Sequence, residues 1–177
     1  MTDLPGAPAD LRRTVGNPRG ETDEDHHAFA LQARAERCAQ AEAIGVTPDF
    51  VSRFVEAFYA KIRLDAVLGP IFAAKVTDWG EHMERMKRFW RSILFSSGEY
   101  SGNPMRKHVV IPDLGREHFV RWLELFYATL REEGAGDEAM ALVGERGRMI
   151  AESMLTGIAI HRQGLTGSRA GSDLPRP

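Results

Sequence analysis

The sequence predicts an all-α protein, and three observations carry that expectation. Apolar residues recur every three or four positions through long segments. Helix start and stop residues punctuate those segments. No segment sustains the strict apolar/polar alternation of a strand. With 177 residues, 43% of them hydrophobic, the chain suits one domain with tails and can bury a real core.

Residues 1 to about 23 are rich in proline, glycine and charge and are expected to be disordered. Residues 24–162 are expected to form the domain, and residues 163–177 a second disordered tail. The first helix is predicted from about Asp25 to Ala43, with a weak apolar face and a stop at Gly45. The second begins at Thr47-Pro48-Asp49, carries Phe50, Phe54, Phe58 and Ile62 on one stripe, and ends before Leu68-Gly69-Pro70. The third spans about Asp78 to Phe95, with Trp79, Met83, Met86, Trp90 and Ile93 on one face. A fourth runs from about Arg116 to Glu132 on Phe119, Trp122, Leu123, Phe126 and Leu130. The fifth runs from Asp137 to His161, where Gly144, Gly147 and Gly157 permit close helix approach.

Composition narrows the function. Lys+Arg 23 against Asp+Glu 25, a net charge of −2, gives no electrostatic reason to expect nucleic acid or an anionic membrane surface as a partner. There is no apolar run long enough to span a bilayer, and the N-terminus lacks the apolar core of a secretory signal. A single cysteine, Cys38, precludes an intrachain disulfide. A cytoplasmic location is the resulting expectation.

The segment from Gly102 to Pro112 reads as one short helical turn presenting a single imidazole. Asn103 is the cap, Pro104 suits the first helical position, and Pro112 stops continuation. Such a turn adds little to a core; its use is to hold His108 in place. His82 lies on the third helix, sharing a face with Met86 four residues on. Tyr59 flanks the stripe of the second helix, and Trp122 sits mid-way along the fourth. Together these residues suggest a haem pocket, with His108 on the iron and polar groups opposite. Met105, one turn before His108, is placed against the ring plane. Donors from Tyr59, Trp122 and His82 would stabilise a ligand that gathers negative charge at the iron. Trp79, Phe54, Phe58, Phe119 and Phe126 read as core. His118 and His161 read as exposed.

Four motifs stand in order along the chain. They are Phe58-Tyr59-x-x-Ile62-Arg63-x-Asp65-x-x-Leu68-Gly69-Pro70-Ile71-Phe72; Trp79-x-x-His82 with Phe89-Trp90; Gly98-x-Tyr100-x-Gly102-x-Pro104-x-x-x-His108; and His118-Phe119-x-x-Trp122-Leu123-x-Leu125-Phe126. In these the chain resembles the group III truncated haemoglobins, over about Thr47 to Ile160. The resemblance implies a two-over-two helical sandwich around haem b; the helical or disordered N-terminal extension and the C-terminal tail depart from that compact family pattern. It assigns the proximal role, the metal ligand, to His108. It assigns the distal ligand-binding roles to Tyr59, His82 and Trp122, and cofactor packing to Phe72, Met86 and Trp90. It places Arg85 and Lys107 near the haem propionates.

The expected function is binding of diatomic gas ligands: dioxygen, carbon monoxide or nitric oxide. Several donors in the pocket favour slow oxygen release, so nitric oxide dioxygenation and peroxide chemistry stand as enzymatic readings. Both need an electron donor. The chain holds no Gly-x-Gly-x-x-Gly fingerprint, so a separate reductase would supply it. A haem-based sensor signalling through the N-terminal extension is the alternative, and a haem-free helical regulator is a third class. Oligomeric state is left open.

Overall fold

The computed structural model describes residues 23–177, and these are helical with no strand among them. The N-terminal residues expected to be disordered lie almost wholly outside the described range. The chain divides into two units, residues 1–33 and 34–177. The described part of the first is the leading stretch of α1 (Asp23–Ala43), whose side chains from His27 to Gln32 are exposed. The second unit holds the core and every other helix.

Helix α2 (Pro48–Leu64) begins as its sequence dictates. Thr47 Oγ1 accepts the Phe50 N–H at 3.1 Å, and Pro48 occupies the first turn, where its missing N–H leaves no bond unmade. It ends at Asp65, whose side chain is only 6% exposed. That carboxylate accepts the Val67 and Leu68 N–H groups at 3.0 and 2.9 Å, and the Arg121 Nε–H at 2.8 Å. Burial alone would raise its pKa; the Leu68 N–H, the Arg121 guanidinium and the Val67 N–H together hold it below the usual carboxylate range. The turn they make leads into α3 (Gly69–Ala73), a helix the sequence analysis does not foresee. Five residues are too few to display a period.

Helix α4 (Trp79–Phe95) is capped by Asp78, which accepts the Glu81 N–H at 2.9 Å, and it stops at Ser96 in the left-handed region. After α5 (Pro104–His108) comes α6 (Arg116–Glu132). The fifth predicted helix is three pieces: α7 (Asp137–Ala139), a π turn (Met140–Gly144) and α8 (Glu145–Gln163). Ala139 and Gly144, five positions apart, are both buried across that wider turn. A single five-residue step is lost among the three- and four-residue steps around it, so periodicity alone does not reveal the turn.

Helix α2 packs on α4 and on α6, and α6 packs on α8. The result is two helix pairs, α2/α4 and α6/α8, in the two-over-two arrangement. Phe126 is at the crossing. Its ring meets Phe54 edge-on at 4.8 Å and Phe58 at 5.4 Å, stacks on Trp122 at 4.8 Å, and lies 5.1 Å from Trp90. Such pairs contribute roughly 0.5–1.5 kcal/mol each beyond area burial.

Beyond the end of α8 at Gln163, the segment expected as a tail lies against α6 and α8. Leu174 is buried. Tyr127 Oη donates to the Pro175 carbonyl at 2.8 Å, and the Gly171 N–H donates to Thr156 Oγ1 at 3.2 Å. A side chain at Gly171 would overlap the Glu152 backbone, so glycine lets the tail lie against α8. The segment reads as disordered because it has few apolar residues; one leucine and several hydrogen bonds suffice to seat it. Leu174→Ala should lower unfolding free energy by about 2 kcal/mol, read as a drop in the urea midpoint. An unchanged midpoint would mean that the tail is not packed.

Candidate functional site

A cavity of about 430 Å³ opens between α2, α3 and α4 on one side and α5, α6 and α8 on the other. This size is within the range of small-molecule sites. Its walls are mainly apolar, from Leu68, Ile71, Phe72, Met86, Phe89, Trp90, Phe119 and Met154.

Helix α5 supplies one side. Asn103 Oδ1 accepts the Arg106 N–H at 3.1 Å, and Pro104 starts the turn. His108 lines the cavity, and its Nδ1 lies 2.7 Å from the Pro104 carbonyl oxygen. A carbonyl can only accept, so Nδ1 carries a proton, and in the neutral ring Nε2 is the nitrogen with the lone pair. That is the state of an imidazole ready to ligate a metal, with its orientation fixed by the bond from the other nitrogen.

Met105, expected against a ring plane, is not among the residues lining this cavity. Its thioether packs instead against Gly157 of α8, into the space a Cβ there would occupy. The missing side chain at Gly157 makes a notch, and a flexible methionine fills it.

The opposite side carries Tyr59 and His82. Tyr59 is buried, edge-on to His82 at 5.1 Å and to Phe72 at 5.8 Å. Burial, aided by the neighbouring Tyr100 phenol, pushes its pKa well up, so the hydroxyl remains a donor. His82 is packed among Tyr59, Phe72 and Trp79, and its Nε2 is buried with no hydrogen-bond partner. Burial lowers its pKa, and the charges of Arg85 and Lys107 lower it further. Both effects disfavour the charged imidazole. Trp122 lines the same cavity, edge-on to Phe58 and stacked on Phe126.

Of the residues singled out from the sequence, Tyr59, Phe72, His82, Arg85, Met86, Trp90, Lys107, His108 and Trp122 come together around this one space. Arg85 also pairs with Glu81. Lys75 joins Arg85 and Lys107 as a third cation on the lining. His118, expected to be exposed, also lines the cavity. Its Nδ1 accepts the Gly115 N–H at 3.1 Å, closing the first turn of α6. Sequence reasoning also missed Tyr100 and Phe89 as cavity residues. The two rings meet edge-on at 5.1 Å, and the motif around Gly98 and Gly102 held the only signal for Tyr100.

The donor set decides what could sit here. Among the described residues, no group of three or more His, Cys, Asp or Glu could hold a bare metal ion. A metal that brings its other ligands with it suits the single imidazole of His108. A haem fits: apolar walls for the macrocycle, one imidazole with a free Nε2, three cations for its carboxylates, and an unpartnered His82 Nε2.

Helix pairs around an apolar cleft with one proximal-type imidazole define a small globin. No known family model matches the chain. A group 3 truncated haemoglobin, ctb, of Campylobacter jejuni subsp. jejuni serotype O:2 is 33% identical over 110 residues, covering 60% of this chain and 86% of that protein. The crystal structure of the group III truncated haemoglobin from Campylobacter jejuni matches with a TM-score of 0.60 at 32% identity, covering 64% of this chain and 91% of that one. The chain belongs to the group III truncated haemoglobins, a family of haem proteins. No helix among the described residues is long and apolar enough to cross a membrane.

The depressed pKa of His82 has a measurable sign. Below its ordinary value of about 6.5 the unfolded chain takes up a proton that folded His82 refuses. Stability from this group is complete above that pH and is lost as pH falls toward the folded pKa. His82→Phe should remove this dependence, which is no steeper than about 1.4 kcal/mol per pH unit. Urea titrations of the haem-free protein between pH 5 and 7, on the order of five points, would show it. Identical slopes in the two proteins would contradict a lowered pKa at His82.

Proposed function

We propose that this chain binds haem b through His108 and presents Tyr59, His82 and Trp122 to diatomic ligands: dioxygen, carbon monoxide and nitric oxide. The observation that carries this reading is the bond from His108 Nδ1 to the Pro104 carbonyl, which leaves Nε2 as a lone pair in an apolar cavity. When bound, haem supplies an iron with a position open to a small ligand and able to change oxidation state. The protein's residues do the rest. Phe72, Met86 and Trp90 would hold the macrocycle and exclude water from it. Arg85, Lys107 and Lys75 would pair with its carboxylates. Tyr59, protonated throughout the physiological range, donates to a ligand that gathers negative charge, and Trp122 offers an indole N–H from α6.

Strong donation slows ligand release, which favours turnover of a held ligand over delivery. Nitric oxide dioxygenation and peroxide reduction are the two reactions consistent with that. Either draws electrons from a separate reductase, since the chain carries no dinucleotide fingerprint of its own.

Absorption spectra of ferric, ferrous and carbon monoxide-treated protein, beside His108→Ala, test the assignment. A Soret band that moves with reduction and with carbon monoxide, and is lost or altered in the variant, is expected. A colourless protein that takes up no haemin would end the proposal. Within it, Tyr59→Phe should speed oxygen dissociation about tenfold, the equivalent of one hydrogen bond to a charged group. Stopped-flow rates equal to wild type would remove Tyr59 from the ligand site.

A further inference from the structure

We propose that Arg162 is a positioning residue for His108, holding the loop that follows the imidazole against the last helix. The inference rests on the reading of His108 as the iron ligand. Helix α5 is five residues long and cannot fix its own place. It is held at two points, both on α8. Before His108, Met105 fills the notch at Gly157. After it, the guanidinium of Arg162 forks across the loop, donating from Nη2 to the Ile111 carbonyl at 2.7 Å and from Nη1 to the Leu114 carbonyl at 2.9 Å.

The loop needs such a partner. Between the two gripped carbonyls, Asp113 sits at φ 55°, in the left-handed region that a non-glycine residue adopts at a cost. Leu114 is buried, and a buried carbonyl without a partner is costly. The planar fork of an arginine meets two acceptors at once in a fixed geometry; a lysine ammonium offers a point charge on a flexible stem. Ile111 and Leu114 themselves line the cavity, and the Ile111 N–H returns to the His108 carbonyl at 3.0 Å. The grip on this loop is thus passed directly to the residue that presents the imidazole.

The test uses full-length holoprotein and two readouts. One is the iron–histidine stretching band of the ferrous, ligand-free form by resonance Raman. The other is the rate of haem transfer to excess apomyoglobin. Arg162→Ala should shift or broaden the band and speed haem loss about five- to tenfold, the equivalent of one to two exposed charge-assisted hydrogen bonds. Arg162→Lys should fall between. It keeps the charge, so it serves if the alanine variant does not fold. A band and a loss rate matching wild type, even alongside a lower melting temperature, would overturn the positioning role and leave only a structural one. Failure of the underlying reading looks different: wild type itself would show no iron–histidine band, or the band would survive His108→Gly.

Discussion

Everything in this fold converges on the ring of Phe126. It is fully buried and touches Phe54 and Phe58 of α2, Trp90 of α4 and its neighbour Trp122 on α6. Gly147 of α8 comes so close that a side chain there would overlap it. One aromatic side chain is therefore the common contact of both helix pairs. The cavity begins where this aromatic block ends, at Trp90 and Trp122, which belong to both. A rigid, close-packed block on one flank lets an apolar hollow stay open beside it, because the walls cannot collapse without breaking ring contacts.

The cavity's polarity is equally constrained. Its apolar walls favour the uncharged forms of Tyr59 and His82, so these two side chains offer a donor and a neutral ring. The positive charges on its lining come from Lys75, Arg85 and Lys107. Two of them, Arg85 and Lys107, also act back on His82, disfavouring its protonation. A cofactor with an apolar body and acidic edge is matched in both respects, and its carboxylates would partly offset the pressure those cations place on His82.

Much of this was legible in the sequence, and the rest was illegible for definite reasons. Thr47 and Asn103 announce their helices because capping is a local interaction, set by residues three positions apart. The resemblance to the truncated haemoglobins singles out Tyr59, His82, His108 and Trp122, and the fold gathers them around one space. Met105 could not be read that way. Its direction is set by the absence of a side chain at Gly157, fifty-two residues later by the numbering. His118 was misjudged because a helix start is usually exposed, whereas here the imidazole turns back to accept the Gly115 N–H. Helix α3 and the seated tail were missed because neither carries enough apolar residues to form a pattern.

The π turn at Met140–Gly144 bears on which changes of length this protein can absorb over generations. It holds one residue more than an α-helical turn without displacing the helix on either side of it. Loss of one residue there would let the backbone close into unbroken α-helix, while Ala139 before it and Gly147 and Ala151 after it kept their faces toward the core. The same loss within α8 has no such slack to draw on. It would rotate everything beyond it by about 100° and swing Met154, Leu155 and Ile158 away from the core they fill. A single-codon deletion is therefore survivable in the wide turn and ruinous a few residues later, although the chain is helical at both places.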